Sequence, residues 1–315
     1  RACAWVRLKW SETLFPRGRP NITFDVQGKR MLDPRSSFAV ASVDTVNNRL
    51  ETGFYTAAAG APFVLHTAAG ALPAPLLANT IYYRGSVSAT KHGVAAEPAG
   101  ADIDLTDAGS GTITLYPLAY SANAALCAAD YLLDQSYGVK VKLAALDLTQ
   151  LAAAANLCDE DVTLADATVE DRYTAHGVLA INGTPQSLLA ALLSAMGGVL
   201  AFVGGQWGLY PASYRTPTVT LDEDDLRGPL KIATLVSRAD NFNAVKGVFS
   251  NPDQEWQPTD YPPVVNSTYQ AAMEGERVYT ELNLPFTKSA ATAQRLAKIR
   301  LEQQWQPLLV EAPCK

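Results

Sequence analysis

The sequence contains few of the residues that build metal sites, disulfide frameworks and catalytic centres. It has four cysteines and three histidines in 315 residues. No two cysteines have metal-ligand spacing, and the histidines lie in separate segments, so we expect no metal and no cofactor. A disulfide framework is not predicted either. The residues concerned are Cys3, Cys127, Cys158, Cys314, His66, His92 and His176.

Charge is also scarce, and the balance is acidic. Charged residues make up 18% of the chain, and the formal net charge is −6. An acidic surface cannot gain from the release of counterions that drives binding to phosphates, so a nucleic-acid-binding protein is not expected. Low charge beside many Ala, Val and Leu residues is typical of a subunit that buries surface against partners.

Long apolar runs are missing as well. No run reaches the roughly 20 residues that a bilayer-spanning helix needs, and no signal peptide is recognised. The chain begins with Arg1 and not with methionine. We therefore expect a processed form or a part of a longer protein.

Four segments carry helix signals, each with a polar residue that can cap the first turn. In YSANAALCAADYLLDQSYGV, Asn123 precedes apolar residues at helical spacing, and Gly138 is predicted to end the helix with a positive φ. The helix PQSLLAALLS also has a proline at its first position. The caps predicted for the other three helices are Asp147, Thr184 and Ser289.

The remaining segments carry strand signals. Between about Phe38 and Tyr116, short β-prone runs alternate with Gly- and Pro-rich turns, which predicts a small inserted all-β domain. VLAFV-GG-QWGLY predicts a hairpin with Gly204 and Gly205 in its turn. Further strands are predicted at 2–10, 22–26, 173–179, 218–221, 230–235, 244–249, 277–285 and 307–313.

Strands and helices do not alternate regularly, so the predicted fold class is α+β with mainly antiparallel sheets braced by a few helices. We expect three units. Residues 1–36 with 118–175 form a first, discontinuous domain, residues 37–117 form the inserted β domain, and residues 176–315 form a second domain.

Residues that could carry chemistry have simpler structural interpretations. The acidic run Asp222–Asp225 lacks the glycine and ligand spacing of a calcium loop, and a helix cap explains it. The run Cys158–Asp161 offers paired carboxylates, but it lies where a helix ends. His176 is a candidate base and Ser187 and Ser194 are candidate nucleophiles, without a G-x-S-x-G motif. We predict no catalytic, cofactor-binding or metal-binding residue, and no enzyme.

Several segments occur in an order that matches a known family. The order is QGKRMLDPRS, YSANAALCAADYLLDQSYGV, ANLCDE, DRYTAHGVL, a capped helix, GGQWGLYPASYRTPTVTLDEDDLRG, SRADNFNAVKGVFSNPDQEWQPTDYPPVVN and LPFTKSAATAQRLAKI. This order closely resembles the central hub region of the tip attachment protein J family of long-tailed phages, prophages and gene transfer agents. The inserted segment resembles a β module that recurs in phage tail proteins.

The resemblance implies a structural role in the virion, at the tail tip, after synthesis in the host cytoplasm. Sheet domains of three copies would form a tube-like ring that joins the tail tube to the tip fibre and takes part in host attachment and genome ejection. The implied partners are two further copies of the chain, the distal tail protein, other tip proteins, the tape-measure protein and the tail fibre. DNA would only pass through, and the host envelope would be contacted indirectly.

The sequence departs from the family in two places. Relatives often begin the first helix with Asn-Pro-Ala, whereas Ala124 follows Asn123 here. The N-terminal region and the C-terminal fibre part expected of a full-length member are also missing from the sequence, and receptor recognition is usually placed in that distal part.

Two alternative functions remain open from the sequence. One is a tail-associated hydrolase of cell wall or polysaccharide. The other is a carbohydrate-binding module in the inserted domain, with His66, Tyr82 and Tyr83 as contacts. Aromatic side chains that could stack on a sugar elsewhere are Trp207, Tyr210, Tyr214, Trp256 and Tyr261.

Overall fold

A computed structural model describes Thr13 and residues 26–53, 55–217, 220–233, 241–305 and 309–314. Its sheets are mainly antiparallel, and α-helices lie among them, so the predicted α+β class is confirmed. In these ranges, no helix combines the length and apolarity needed to cross a membrane.

Eight strands of the N-terminal part form one sheet. They are β1 (Arg30–Leu32), β2 (Phe38–Ala39), β3 (Ser42–Asp44), β4 (Arg49–Glu51), β5 (Pro62–Thr67), β6 (Ile81–Ser88), β7 (Lys91–Ala95) and β8 (Ile113–Tyr120). The strand order β8-β5-β6-β7-β4-β3 is antiparallel at each step.

This sheet closes on itself through the segment that contains β2 and β3. Strand β2 pairs with β8, and β3 pairs with β4 at the other end of the strand order. Between them, the Val40 N–H donates to Ile113 O at 2.9 Å, and the Ala41 N–H donates to Glu51 O at 2.8 Å. The result is a small antiparallel barrel, in which closure removes exposed strand edges. We call residues 38–116 the barrel.

The barrel has its own apolar core, whose buried members all lie between residues 50 and 115. Phe63, Leu65 and Leu115 on neighbouring strands are almost fully buried. Strand β1 continues the sheet outside the barrel by pairing with the second half of β8. A second, small cluster of Leu32, Tyr116 and Leu143 lies between the barrel and the rest of the chain.

A notch between two barrel strands holds a carboxylate. A Cβ atom built on Gly93 of β7 would lie 2.1 Å from the Asp102 carboxylate carbon, and one on Gly85 of β6 would lie 1.9 Å from its Oδ1. The backbone N–H and the hydroxyl of Ser86 both donate to the same carboxylate. The two glycines are therefore needed for the close approach of Asp102.

We expect Gly93→Ala to destabilise the barrel by about 2 kcal/mol or more, because the methyl group displaces Asp102 from Ser86. Denaturant unfolding of the variant measures the loss. The control is the same substitution in an Asp102→Ala background, where the space is free. If Gly93→Ala lowers the free energy of unfolding equally in both backgrounds, the close approach of Asp102 is not the reason that residue 93 is a glycine.

The remainder of the chain contains the helices and the smaller sheets. The helices are α1 (Ala124–Leu133), α2 (Leu148–Cys158), α3 (Pro185–Ser194), α4 (Ser267–Ala272) and α5 (Ala290–Gln304). The strands are β9 (Asp161–Thr163), β10 (Val169–Asp171), β11 (Val199–Val203), β12 (Gln206–Tyr210), β13 (Lys231–Ala233), β14 (Ala244–Lys246), β15 (Val248–Asn251), β16 (Gln257–Asp260), β17 (Val264–Val265), β18 (Tyr279–Glu281) and β19 (Leu309–Glu311).

One apolar core joins these elements. It includes Leu126 of α1, Leu151 of α2, Leu192 of α3, Leu209 of β12 and Leu296 of α5. Residues on both sides of the predicted boundary at 175 and 176 therefore pack in the same core. We call it the helical core.

The four predicted helix caps are confirmed. The side chains of Asn123, Asp147, Thr184 and Ser289 each accept a hydrogen bond from a backbone N–H in the first turn of their helix. The Gly204–Gly205 hairpin is also confirmed, because β11 and β12 pair through a turn in which both glycines have positive φ.

Two local predictions are wrong. Helix α1 ends at Leu133 with Asp134 as its cap, and Gly138 does not have a positive φ. Gly138 is instead close to the Tyr131 carbonyl oxygen, which would lie 2.1 Å from an added Cβ. The segment 173–179 is not a strand, since its only bridge to a described residue is the isolated one between Asn123 and Thr174.

Several predicted strands are shorter or fall elsewhere. The strand predicted at 244–249 is divided into β14 and β15 at Gly247, where the Leu282 carbonyl approaches the backbone. Residues 220–221 form no strand. The predicted strands at 2–10 and 22–25, and the residues 218–219, 234–235 and 307–308 of other predicted strands, lie outside the described residues.

Candidate assembly surface

The acidic runs have structural roles. Asp222 and Asp225 form a reciprocal capping box around one helical turn, as the cap interpretation predicts. Asp159 forms an ion pair with Arg35 at 2.7 Å, and Glu160 forms one with Arg172 at 2.6 Å. The two neighbouring carboxylates therefore serve different arginines and are not arranged as a pair.

The candidate nucleophiles are also engaged in local structure. The Ser187 hydroxyl donates to Thr184 O at 2.8 Å, and the Ser194 hydroxyl donates to Ala191 O at 2.7 Å. Burial raises the pKa of both Cys127 and Cys158 to about 12. These thiols therefore remain protonated near neutral pH and are poor nucleophiles.

Among the described residues, no group of three or more His, Cys, Asp or Glu side chains could hold a metal ion. A cavity of about 270 Å³ does contain acidic side chains. Of these, Glu170 forms an ion pair with Arg295 at 3.1 Å and accepts a hydrogen bond from Thr292. The lining residues are Asp161, Val169, Glu170, Asp171, Thr174 and Lys288.

The predicted carbohydrate contacts in the barrel do not form one site. Tyr82 is 5% exposed, and its hydroxyl accepts a hydrogen bond from the Leu77 N–H, so the prediction that it contacts a sugar is wrong. Tyr83 pairs with Pro62, four residues along β5 from His66. Four residues of strand separate these two positions by about 13 Å.

The other aromatic candidates are dispersed. Tyr261 is buried, and its hydroxyl donates to Leu282 O at 3.0 Å. His176 lies beside Trp256, with 5.9 Å between the ring centres. Trp207 packs against Phe202, with 5.0 Å between the ring centres. None of these contacts joins two of the five aromatic residues singled out in the sequence, all of which lie in described ranges.

The hairpin β11–β12 has a different character, because both of its faces are mainly apolar and neither strand contributes a charge. The stretch VLAFVGGQWGLY contains no charged residue. On the inner face, Leu200 pairs with Leu209, which belongs to the helical core. Two apolar faces on one strand are typical of sheets that are covered on both sides.

We define the outer hairpin face as Val199, Ala201 and Val203 of β11 with their cross-strand partners Tyr210, Gly208 and Gln206. Val199 is 62% exposed and Val203 is 64% exposed. Apolar surface of this kind, on a strand without charge, marks an interaction site more often than an isolated exposed residue does. The outer hairpin face is therefore the candidate functional surface.

The two edges of the hairpin differ. The edge of β12 is occupied, since the Asp147 N–H donates to Trp207 O at 2.9 Å and the Gln206 amide donates to Ala144 O at 3.2 Å. In the described ranges, β11 pairs only with β12. It carries no proline, no charge and no bulge, which are the usual devices that protect a free edge. This arrangement supports association with another strand.

This surface was not among the sequence-based predictions, although the hairpin with Gly204 and Gly205 in its turn was predicted. The signal that indicates the surface is the absence of charge over both strands, because a strand with one solvated face normally alternates apolar with polar residues.

Comparisons with known proteins find similarity to solved structures but not to a family model or a curated protein. The chain is similar to the crystal structure of the prophage MuSo2 43 kDa tail protein from Shewanella oneidensis, with a TM-score of 0.29 and 12% identity over 88% of this chain and 82% of that one. A TM-score this low establishes neither a shared fold nor a shared function.

Proposed function

We propose that the chain is a structural component of a phage tail, and specifically the central hub of the tail tip. The order of segments from QGKRMLDPRS to LPFTKSAATAQRLAKI, which resembles the hub region of the tip attachment protein J family, supports this role. The observation that carries it in the structure is the free edge of β11 beside the outer hairpin face. A hub is an assembly of copies, and such an edge requires a partner.

In this proposal, three copies associate around a three-fold axis. The β11 edge of one copy is covered by its neighbour, and rotational symmetry closes the ring so that association stops at three. The ring joins the tail tube, through the distal tail protein, to the tip fibre, and the tape-measure protein passes inside. The net charge of −6 suits a conduit that must not bind the DNA it conducts.

The proposed role requires no catalysis. The carboxylates of Asp159 and Glu160 are held in ion pairs, and the acids of the run 222–225 cap a turn. We accordingly propose that the protein is not an enzyme and acts in the virion, where it takes part in host attachment and genome ejection through the proteins it joins.

Assembly is expected to strengthen as salt rises. Each copy carries a net charge of −6, and added salt screens the repulsion between copies while apolar contacts remain. Light scattering should give a mass of three times 33.7 kDa at moderate salt, with a larger share of single chains at low salt. A parallel series with the distal tail protein shows whether that partner is needed to organise the ring. A single chain under every condition would contradict the trimer.

A further inference from the structure

A histidine is fully enclosed in the core of the barrel. His92 of β7 is 0% exposed, and its ring packs against the rings of Tyr55 and Phe63, at centre-to-centre distances of 5.4 Å and 5.7 Å. Its Nδ1 is 3.0 Å from Gly93 O. Since a carbonyl oxygen only accepts, Nδ1 must carry the hydrogen, and Nε2 is the bare nitrogen of a neutral ring.

The bare nitrogen makes no hydrogen bond to any residue that the structure describes. His92 Nε2 is buried, and the buried hydroxyls of Thr52 and Tyr55 likewise have no hydrogen-bond partner among these residues. A proton added at Nε2 would therefore create a buried N–H that no described group accepts in the folded barrel.

A buried cation faces the same core from β6. Arg84 is 7% exposed, its Nη2 donates to Tyr55 O at 2.9 Å, and its guanidinium lies 5.2 Å from the centre of the Tyr55 ring. No carboxylate of the described residues forms an ion pair with it. A second positive charge on His92 would therefore be placed near a cation that is not neutralised.

The other charged groups around His92 face away from it or act weakly. Asp102 favours the protonated ring, but its carboxylate is held by Ser86. On β4, Leu50 faces His92, so strand alternation directs its neighbours Arg49 and Glu51 to the other side. On β5, Leu65 belongs to the barrel core, so the same alternation directs its neighbour His66 to the other side of the sheet. On its own strand, Lys91 forms an ion pair with Asp44 at 3.3 Å.

Together, these surroundings lower the pKa of His92. Burial is the largest influence and lowers the pKa of His92 below its ordinary value. The hydrogen bond to Gly93 O raises the pKa, Arg84 lowers it and Asp102 raises it, and the net direction is downward. The folded barrel thus prefers the neutral ring.

We propose that His92 makes the barrel an acid-sensitive element, which opens when Nε2 is protonated while the helical core remains folded. The separation follows from the two cores. The buried members of the barrel core lie between residues 50 and 115, and those of the helical core are Met31 and residues from 124 to 301. Opening one therefore leaves the packing of the other largely in place.

The direction with pH follows from linkage. The unfolded chain binds a proton at His92 below a pKa of about 6.5, and the folded barrel does so only at lower pH. The contribution of the neutral His92 ring to the stability of the barrel is fully present above about pH 6.5. It is lost as the pH falls from there to the pKa of His92 in the folded barrel. Within that window the opening equilibrium rises by up to about tenfold per pH unit.

Hydrogen exchange of the whole chain, followed by mass spectrometry and corrected for the intrinsic pH dependence of exchange, tests the proposal. Between pH 7.5 and pH 5, peptides from β5, β6 and β7 should lose protection, by up to about tenfold per pH unit below about pH 6.5. Peptides from α1 and α2 should keep theirs. Equal protection of the barrel at both pH values, or an equal loss in the helices, would overturn the proposal.

Two neutral replacements identify the residue responsible. His92→Gln and His92→Phe cannot take up a proton, so the barrel peptides of whichever variant folds at pH 7.5 should not respond to acid. His66→Gln is the matched control, because it removes the other histidine of the barrel, which is partly exposed on the same sheet. Burial lowers the pKa of His66 as well, so this variant should keep most of the response but not all of it. A response that persists without His92, or disappears without His66, would contradict the assignment.

Discussion

Replacing Asn123 with alanine is expected to lower the free energy of unfolding by about 3 kcal/mol. Its side-chain oxygen accepts from the N–H groups of Ala125 and Leu126, which caps α1. Its amide nitrogen donates to Ala155 O at 2.8 Å and to Asp159 Oδ1 at 2.7 Å, so it also joins α1 to the end of α2.

The size of this effect comes from burial. Asn123 is 3% exposed, so water cannot replace the lost contacts. Loss of a cap costs about 1 to 2 kcal/mol, and a buried acceptor left without its donor costs about 1 to 3 kcal/mol more.

Thr184→Ala is the matched control for Asn123→Ala, because it removes the cap of α3 at an exposed position. Thr184 accepts from the Ser187 N–H at 3.3 Å, and water can take its place. We expect a loss of about 0.5 kcal/mol. Urea unfolding followed by circular dichroism compares the two. Equal losses would show that the contacts between α1 and α2 add nothing to the cap.

Placing lysines at Val199 and Val203 is expected to raise the dissociation constant of each contact between copies by at least about tenfold. Both side chains belong to the outer hairpin face, where a neighbour would cover them. Two charges would then have to be desolvated without partners, which costs far more than the apolar contacts gain. Lysine is also the residue that natural edge strands use against pairing.

The double variant Val199→Lys with Val203→Lys should keep its own stability within about 0.5 kcal/mol, because both positions are exposed in the single chain. Val46→Lys serves as the control, since Val46 is an exposed apolar residue of the barrel far along the chain from the hairpin. Light scattering and thermal melts are made on all three proteins. Association that survives in the double variant, or is lost equally in the control, would show that the outer hairpin face is not the contact surface between copies.

Local signals in the sequence predicted local structure well. The caps Asn123, Asp147 and Ser289 were predictable because a short polar side chain preceded an apolar stretch with helical period. The Gly204–Gly205 turn was predictable because few residue pairs accept positive φ at both positions. In each case the determining interactions lie within a few residues.

Features that depend on distant contacts were not predicted. Strand β1 lies in the run QGKRMLDPRS, whose charges and proline indicate a loop, and it pairs only because β8 is beside it. Gly138 was assigned a positive φ, whereas the constraint on it is the Tyr131 carbonyl. A sequence does not show which carbonyl will approach a glycine.

The candidate surface and the buried histidine illustrate the same limit. Barrel closure requires that β2 and β3 reach opposite ends of one strand order, and no single segment encodes this. His92 therefore gave no signal of its burial, since its sequence neighbours Lys91 and Gly93 are those of a surface strand. Likewise, the free edge of β11 becomes visible only once the partners of β12 are known.

Electron cryo-microscopy of tail particles that contain this chain tests the central proposal most directly. We expect three copies around the axis at the end of the tail tube, with the outer hairpin face and the edge of β11 at the boundary between neighbouring copies. A tail tip without three-fold density for this chain, or with β11 exposed to solvent in every copy, would contradict it.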